Sequence, residues 1–252
     1  MDLEDKIELT ATWIAELDNI VVFTGAGVST DSGLPDYRGP DGVWTRRDKG
    51  LPPKPLKVPW DQVKPNEAHY LILELFKMDK LDFLISQNVD GLHIKAGIPY
   101  DKIAELHGNM YFMKCLNCGR SLTFEEAGWD KRKWGNGYRT DLIREGQPKC
   151  PDCKGRIISS IVNFGDPMPE KEMLKASKAA ENADLFFVIG SSLVVSPANS
   201  FPIIAKRNNA KLIVLNDGET PIENLIDIRF NRRIGDVLPP IVSKIKSLLN
   251  TL

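Results

Sequence analysis

The feature that most constrains the fold is a glycine-containing turn directly after a short apolar segment. Residues 20–23 are Ile-Val-Val-Phe, a continuous apolar run typical of a buried parallel strand. Residues 25–27 follow as Gly-Ala-Gly. Glycines at such a turn let the backbone approach a phosphate, whose charge the N-terminus of the next helix stabilises. This order predicts a nucleotide-binding domain built on a parallel sheet.

Apolar runs typical of strands alternate with segments of helical spacing along most of the chain. The predicted strands are residues 20–24, 81–86, 161–162, 185–189 and 212–215, and the predicted helices are residues 4–17, 67–78, 170–181, 197–207 and 236–250. This alternation predicts an α/β fold with a Rossmann-like, doubly wound parallel sheet. Ligands of such sheets bind beyond the carboxyl ends of the strands, so segments that follow strands are expected to line one crevice. Those segments are residues 25–27, 87–88, 190–192 and Asn216.

A chain of 252 residues is long enough for one large domain with an insertion. We predict that residues 1–110 and 160–252 form a discontinuous Rossmann-like domain, and that residues 111–159 form an inserted module. Residues 34–65 contain seven prolines, which exclude long regular structure. Because a proline-rich connection of this length is usually a functional loop, we predict that residues 40–65 form a lid over a bound cofactor.

The four cysteines form two Cys-x-x-Cys pairs, with 31 residues between the pairs. They are Cys115, Cys118, Cys150 and Cys153. Two such pairs supply four thiolates in tetrahedral geometry, which suits Zn²⁺. Disulfides fit poorly with an intracellular chain, and a redox dithiol needs only one pair. We therefore predict one structural zinc ion in a zinc-ribbon module, with every metal position filled by protein.

Charge and hydropathy exclude two classes of partner. The formal net charge is −1, whereas nonspecific nucleic-acid binders usually carry a basic surplus. No apolar run approaches the roughly 18–20 residues that a membrane span needs. Residues 1–5 are Met-Asp-Leu-Glu-Asp and lack the apolar segment of a secretory signal. We expect a cytoplasmic protein, or a nuclear one in a eukaryote, that binds neither nucleic acid nor membrane.

Residues 25–39 depart from the ordinary dinucleotide fingerprint, because five residues separate Gly27 from Gly33 where two are usual. The whole run resembles the nucleotide-binding signature of the sirtuins, the NAD-dependent protein deacylases. Further blocks follow in that family's order, and the resemblance covers residues 20–237. These blocks are Gln-Asn-Val-Asp at 87–90, Glu-Leu-His-Gly-Asn at 105–109, the two cysteine pairs, Val-Asn-Phe-Gly at 162–165, Gly-Ser-Ser at 190–192, and Asn216.

The resemblance implies that the chain removes acyl groups from lysine and consumes NAD as a co-substrate. The acyl oxygen attacks C1′ of the nicotinamide ribose, and nicotinamide leaves. His107 matches the family's general base, and a neutral imidazole suits proton removal from the ribose hydroxyls. Asn88 is expected near that ribose, where it orients water. The products are free lysine and O-acyl-ADP-ribose. The other histidines, His69 and His93, are expected to be structural.

The resemblance also implies binding residues. Asp90 is expected to hold the nicotinamide carboxamide, and Arg38 is a suitable phosphate partner because its planar guanidinium pairs with oxyanions. The expected NAD contacts are Gly25, Ala26, Gly27, Thr30, Asp36, Tyr37, Arg38, Trp44, Gln87, Asn88, Asp90, Gly190, Ser191, Ser192, Asn216 and Ile234. The residues expected to flank the acyl-lysine channel are Val162, Asn163, Phe164 and Gly165.

Within the family, residues 38–44 and the short proline-rich segment after them resemble the subgroup that includes chromatin-associated vertebrate enzymes. Asp166 stands where the family more often has Glu. No Tyr–Arg pair has the spacing of the succinyl-specific branch, so an acetyl or longer apolar chain is expected. The alternatives are protein mono-ADP-ribosyl transfer, a nicotinamide dehydrogenase, and a non-catalytic zinc-ribbon binding module.

Overall fold

The computed structural model describes residues 1–56 and 58–250. In chain order its strands are β1 (Ile20–Thr24), β2 (Phe83–Ser86), β3 (Ile103–Glu105), β4 (Phe112–Cys115), β5 (Ser121–Thr123), β6 (Ile157–Ser159), β7 (Leu185–Ile189), β8 (Lys211–Leu215) and β9 (Ile228–Phe230). Its α-helices are α1 (Leu3–Glu16), α2 (Val43–Asp48), α3 (Glu67–Lys77), α4 (Leu92–Ala96), α5 (Lys131–Trp134), α6 (Glu170–Asn182), α7 (Ser200–Arg207) and α8 (Ile234–Leu249).

Six strands form one parallel sheet in the order β3-β2-β1-β7-β8-β9. The central strand β1 pairs with β2 and with β7, placing Val21 opposite both Phe83 and Phe186. All five residues of β1 and of β7 are buried because helices cover both faces of the sheet. The predicted Rossmann-like, doubly wound parallel sheet is therefore confirmed.

The two faces of the sheet carry separate hydrophobic cores. Val22 packs on one face with residues of α1, α3 and α8, such as Ile14, Ile72 and Ile241. Phe23 packs on the other face, which α6 and α7 cover. Asn66 begins α3 by accepting a hydrogen bond from the Ala68 backbone, and its Nδ2 donates to the Val28 carbonyl at 2.9 Å. That bond attaches α3 to the glycine-containing turn after β1.

Three further strands form an antiparallel sheet in the order β5-β4-β6. They lie between β3 and α6 in the chain and have their own small core, which contains Met113, Leu122, Trp129 and Ile157. Among the described residues, no helix is long and apolar enough to cross a membrane.

The sequence-based strand prediction for residues 161–162 is wrong. The adjacent strand is β6, which belongs to the small sheet, and residues 161–162 continue past it as irregular chain. Ile161 and Val162 are apolar because they line a cleft rather than a core. Residues 34–65 hold only α2 and a 3-10 turn at Trp60–Gln62 in their described part, as their prolines predict. Lys57 in the predicted lid, and residues 251–252, lie outside the described residues.

Candidate active-site cleft

A cleft of about 970 Å³ lies at the carboxyl ends of β1, β2, β7 and β8. Every residue expected from the sequence to contact NAD or acyl-lysine lines it, as do His107 and Asn88. The residues expected to contact NAD are Gly25, Ala26, Gly27, Thr30, Asp36, Tyr37, Arg38, Trp44, Gln87, Asn88, Asp90, Gly190, Ser191, Ser192, Asn216 and Ile234, and those expected to contact acyl-lysine are Val162, Asn163, Phe164 and Gly165. The expected convergence on one crevice is therefore confirmed.

The turn after β1 packs directly against the turn after β7. The Gly27 amide donates to the Gly190 carbonyl at 2.9 Å. Gly190 has φ +66°, and a Cβ there would lie 2.5 Å from the Val28 nitrogen, so a side chain would separate the two turns. The segment that follows Gly25 is a seven-residue 3-10 helix, Ala26–Ser32. It ends because Gly33 adopts a left-handed conformation.

His107 lies in the turn after β3 and is half-buried in the cleft wall. Its Nδ1 lies 2.7 Å from the Gln87 carbonyl oxygen. A carbonyl only accepts, so Nδ1 carries the proton and Nε2 keeps a free lone pair. Burial lowers the pKa of His107, and the bond to Gln87 opposes that shift. The residue therefore presents a neutral imidazole with a basic nitrogen.

Asn88, Ser29 and Asp90 form a buried polar network at the base of the cleft. Asn88 Nδ2 donates to the Gly25 carbonyl and to Ser29 Oγ, both at 3.2 Å. Ser29 Oγ donates to Asp90 Oδ2 at 2.7 Å. Because both N–H groups of Asn88 are engaged inside the protein, its Oδ1 remains as an acceptor for a bound hydroxyl or water.

Ser29 is a site residue that the sequence reasoning did not select. It lies within the run 25–39, but its importance depends on Asp90, which is distant in sequence. Burial raises the pKa of Asp90, although the hydrogen bonds from the Leu92 amide and from Ser29 oppose this shift.

Other cleft-lining residues that the sequence did not identify include Asp31, Leu34, Trp60, Met168, Val195, Asp217, Glu219, Arg232 and Arg233.

His69 and His93 are both buried, with ring centroids 4.8 Å apart, and neither lines the cleft. Burial lowers the pKa of His69 to about 4 and also lowers the pKa of His93. Both imidazoles are therefore neutral at pH 7. Of the three histidines, His107 alone reaches the cleft.

Aromatic side chains from two segments meet at the cleft mouth. The Trp44 ring lies 5.2 Å from the Phe164 ring and 6.2 Å from the Tyr37 ring, both in edge-to-face geometry. The guanidinium groups of Arg38 and Arg47 lie over Trp44. Phe164 is 77% exposed despite its contact with Trp44, so apolar surface remains available to a ligand.

The four cysteine thiols converge at one end of the small sheet. All four Sγ atoms lie within 4.8 Å of one another; Cys115 and Cys153 are 3.4 Å apart and Cys118 and Cys150 are 3.8 Å apart. Sulfurs in a tetrahedral zinc site with bonds of about 2.3 Å lie roughly 3.8 Å apart, so the spacing fits this metal. No pair forms a disulfide. The Asn117 amide donates to Cys115 Sγ at 3.4 Å, which favours a thiolate there.

A nucleotide-type cleft and a four-thiol site in one α/β chain restrict the family to which the protein can belong. The Sir2 family model matches residues 53–197. The NAD-dependent protein deacetylase 1 of Pyrobaculum aerophilum is 37% identical over 97% of both chains. The NAD-dependent protein deacylase 2 of Archaeoglobus fulgidus is 35% identical over 98% of both chains.

A solved structure supports the same assignment. It contains a Sir2 variant with a deacetylated p53 peptide and 3′-O-acetyl ADP ribose. It is 30% identical to this chain and superposes with a TM-score of 0.72, covering 97% of this chain and 98% of that one. The chain belongs to the Sir2 family.

Proposed function

We propose that the protein is a NAD-dependent protein-lysine deacylase that transfers the acyl group to ADP-ribose. The observation that carries this proposal is the free Nε2 of His107 in the wall of a cleft that the glycine-containing turn of residues 25–27 also lines. The relatives named as NAD-dependent deacylases, and the neighbour that holds acetyl-ADP-ribose, support it. A dehydrogenase is disfavoured because the region that would hold its ribose-binding acid is the proline-rich segment.

The cleft residues divide into three roles. Residues 25–27 and 190–192, with Arg38, hold the pyrophosphate, while Asn216 holds the adenosine ribose. Asp90 holds the nicotinamide carboxamide in the buried network with Ser29 and Asn88. NAD supplies an activated ribose carbon, from which nicotinamide leaves as the acyl oxygen attacks.

The acyl-lysine enters between residues 162–165 and the cleft wall. His107 Nε2 accepts the ribose hydroxyl proton as the acyl group moves onto the sugar. The Gln87 carbonyl stabilises the resulting imidazolium because it already accepts a hydrogen bond from the Nδ1–H group. Asn88 Oδ1 is placed to orient the water that completes the transfer.

The direct test mixes the protein with NAD and an acetyl-lysine peptide. We expect nicotinamide, deacetylated peptide and O-acetyl-ADP-ribose in equal amounts. Formation of NADH would favour a dehydrogenase, and ADP-ribose attached to protein would favour mono-ADP-ribosyl transfer. Absence of turnover by a zinc-loaded protein that binds NAD would contradict the proposal and favour a non-catalytic binding module.

The pH dependence of kcat/KM is expected to have an acid limb that belongs to His107. The base must be neutral, and its pKa is lowered from 6.5. Activity is therefore retained at pH 7 and falls as the pH decreases through a midpoint below 6.5. This is measured from initial rates with subsaturating peptide and saturating NAD.

Glu105 is the control for this profile, because it is a second group near the cleft that titrates close to neutral pH. Burial raises its pKa to about 7, and it lies two residues from His107. Its carboxylate accepts hydrogen bonds from Asn109 Nδ2. We expect the acid limb to persist in Glu105→Gln. A limb that disappears in this variant, or a wild-type midpoint above 6.5, would contradict the assignment to His107.

The subgroup and acyl preference are also proposed. Residues 38–44 resemble the subgroup that includes chromatin-associated vertebrate enzymes, and Trp44 lines the cleft beside Phe164. The described part of residues 40–65 is a lid over the nucleotide, residues 111–159 are the zinc module, and the remaining chain is the NAD-binding domain. The apolar mouth favours acetyl or longer apolar chains over acidic ones, which a panel of acyl-lysine peptides tests.

A further inference from the structure

One polar cluster beside the cleft has no role in the mechanism above. It centres on Arg229, in the middle of the edge strand β9. Its neighbours Ile228 and Phe230 are buried in the sheet core, while the Arg229 side chain is only 18% exposed. An arginine covered to this degree needs partners for its five N–H donors.

Those partners are three backbone carbonyls and one carboxylate. Arg229 Nη1 donates to the Asn216 carbonyl at 2.8 Å and to the Phe230 carbonyl at 2.5 Å. Nη2 donates to the Gly218 carbonyl, and Nε donates to Glu223 Oε1 at 3.2 Å. One guanidinium thus joins strand β9 to both ends of the connection 216–223.

Two further bonds hold this connection: the Asn216 amide donates to the Phe230 carbonyl at 3.1 Å, and the Gly218 amide donates to Asn231 Oδ1 at 2.9 Å. Residues 216–222 contain no helix or strand, and Gly218 has φ +122°. Glu223 Oε1, which accepts from Arg229, also accepts from the Thr220 amide at 2.8 Å and the Thr220 hydroxyl at 3.0 Å. Without the guanidinium, the carbonyls of Asn216 and Gly218 would lose their bonds to strand β9, and the backbone between them would sample more conformations.

The same connection lines one end of the cleft, from Asn216 to Glu219. Asn216 Nδ2 donates to the Gly218 carbonyl at 3.1 Å, and that carbonyl also accepts from Arg229. The carboxamide of Asn216 is therefore fixed with its Oδ1 left as a hydrogen-bond acceptor. An acceptor fixed at this position suits a ribose hydroxyl.

We propose that Arg229 is a positioning residue for the adenosine end of NAD. It touches no reacting atom and acts through Asn216 and Gly218, whose backbone it holds. The inference rests on the proposed function for the identity of the nucleotide. It predicts that loss of Arg229 weakens binding of the adenosine half of NAD and leaves the chemical step at His107 intact.

The test compares Arg229→Gln, Arg229→Lys and wild-type protein, all loaded with zinc. Calorimetry with ADP-ribose is expected to show a Kd about tenfold higher for Arg229→Gln, because the hydrogen bond between Asn216 and the ribose is lost when the carboxamide is no longer fixed. Arg229→Lys is expected to lose less affinity, because it keeps the charge but has no planar fork. In steady state, KM for NAD rises in parallel, while kcat at saturating NAD and KM for the peptide stay at wild-type values.

Arg207→Gln is the matched control, since Arg207 is an exposed arginine at the end of α7 that does not line the cleft. Glu223→Gln keeps an acceptor for Arg229 and should cause a smaller rise in the ADP-ribose Kd than Arg229→Gln. This second variant tests the inference even where Arg229→Gln folds poorly. Wild-type ADP-ribose affinity in Arg229→Gln and Glu223→Gln, or a loss confined to kcat, would overturn the inference. Wild-type protein that binds ADP-ribose but has no deacylase turnover would contradict the proposed function and leave the role of Arg229 standing.

Discussion

Replacement of His107 by alanine is expected to lower kcat by about 10²–10⁴-fold, the usual contribution of a positioned general base. The physical reason is that Nε2 of His107 is a basic nitrogen with a free lone pair, set by the bond from Nδ1 to the Gln87 carbonyl. The two other histidines are buried away from the cleft and cannot replace it. Turnover is measured by release of O-acetyl-ADP-ribose from an acetyl-lysine peptide under saturating NAD.

Two measurements separate the loss of a base from the loss of a fold. His107→Ala is expected to bind ADP-ribose close to the wild-type Kd, because the cleft residues after β1, β7 and β8, which we propose to hold the nucleotide, are untouched. His107→Gln retains an N–H donor that can reach toward the Gln87 carbonyl but has no basic atom, so it should be as inactive as the alanine variant. Turnover within tenfold of wild type in either variant would remove His107 from the base role.

The convergence of distant residues on the cleft was predictable from the sequence because of the geometry of parallel sheets. Once residues 20–24, 185–189 and 212–215 are assigned as parallel strands, their carboxyl ends must meet along one edge. The metal site was predictable for a different reason, because two cysteines three positions apart already form half of a tetrahedral set.

Other features were not predictable because they depend on contacts between distant segments. Ser29 matters through Asp90, and Arg229 matters through the carbonyls of Asn216 and Gly218. Nothing in the local sequence distinguishes Arg229 from a solvated surface arginine. The false strand at residues 161–162 has a related cause: two apolar residues do not reveal whether they face a core or a cleft.

The small sheet connects to the turn that carries His107 through the chain that leaves β6. The Ser160 hydroxyl donates to the Asn109 carbonyl at 2.6 Å, and the Val162 amide donates to the His107 carbonyl at 2.9 Å. The contact is close, because a Cβ on Gly108 would lie 2.0 Å from the Ser160 carbonyl oxygen. Unfolding of the small sheet would therefore displace the backbone of His107 directly.

Replacement of Cys150 by serine is expected to abolish binding of the single zinc ion and to unfold the small sheet. Structural zinc sites contribute about 10–16 kcal/mol of apparent binding free energy, far more than a core of a few side chains can replace. Cys150 is also fully buried, so the variant leaves a hydroxyl among the three remaining thiols. Zinc content, and near-ultraviolet dichroism from Trp129 and Trp134, measure the loss.

Deacylase turnover of Cys150→Ser is expected to fall at least about tenfold, while binding of ADP-ribose to the main sheet is largely retained, since none of the four cysteines lines the cleft. The matched control is Asp152→Asn, which removes an exposed ion pair with Arg120 inside the same cysteine knuckle but no metal ligand. That variant should keep zinc and full turnover, because exposed ion pairs contribute little. A zinc-free Cys150→Ser protein with native dichroism and wild-type turnover would show that the small sheet folds, and holds His107, without its metal.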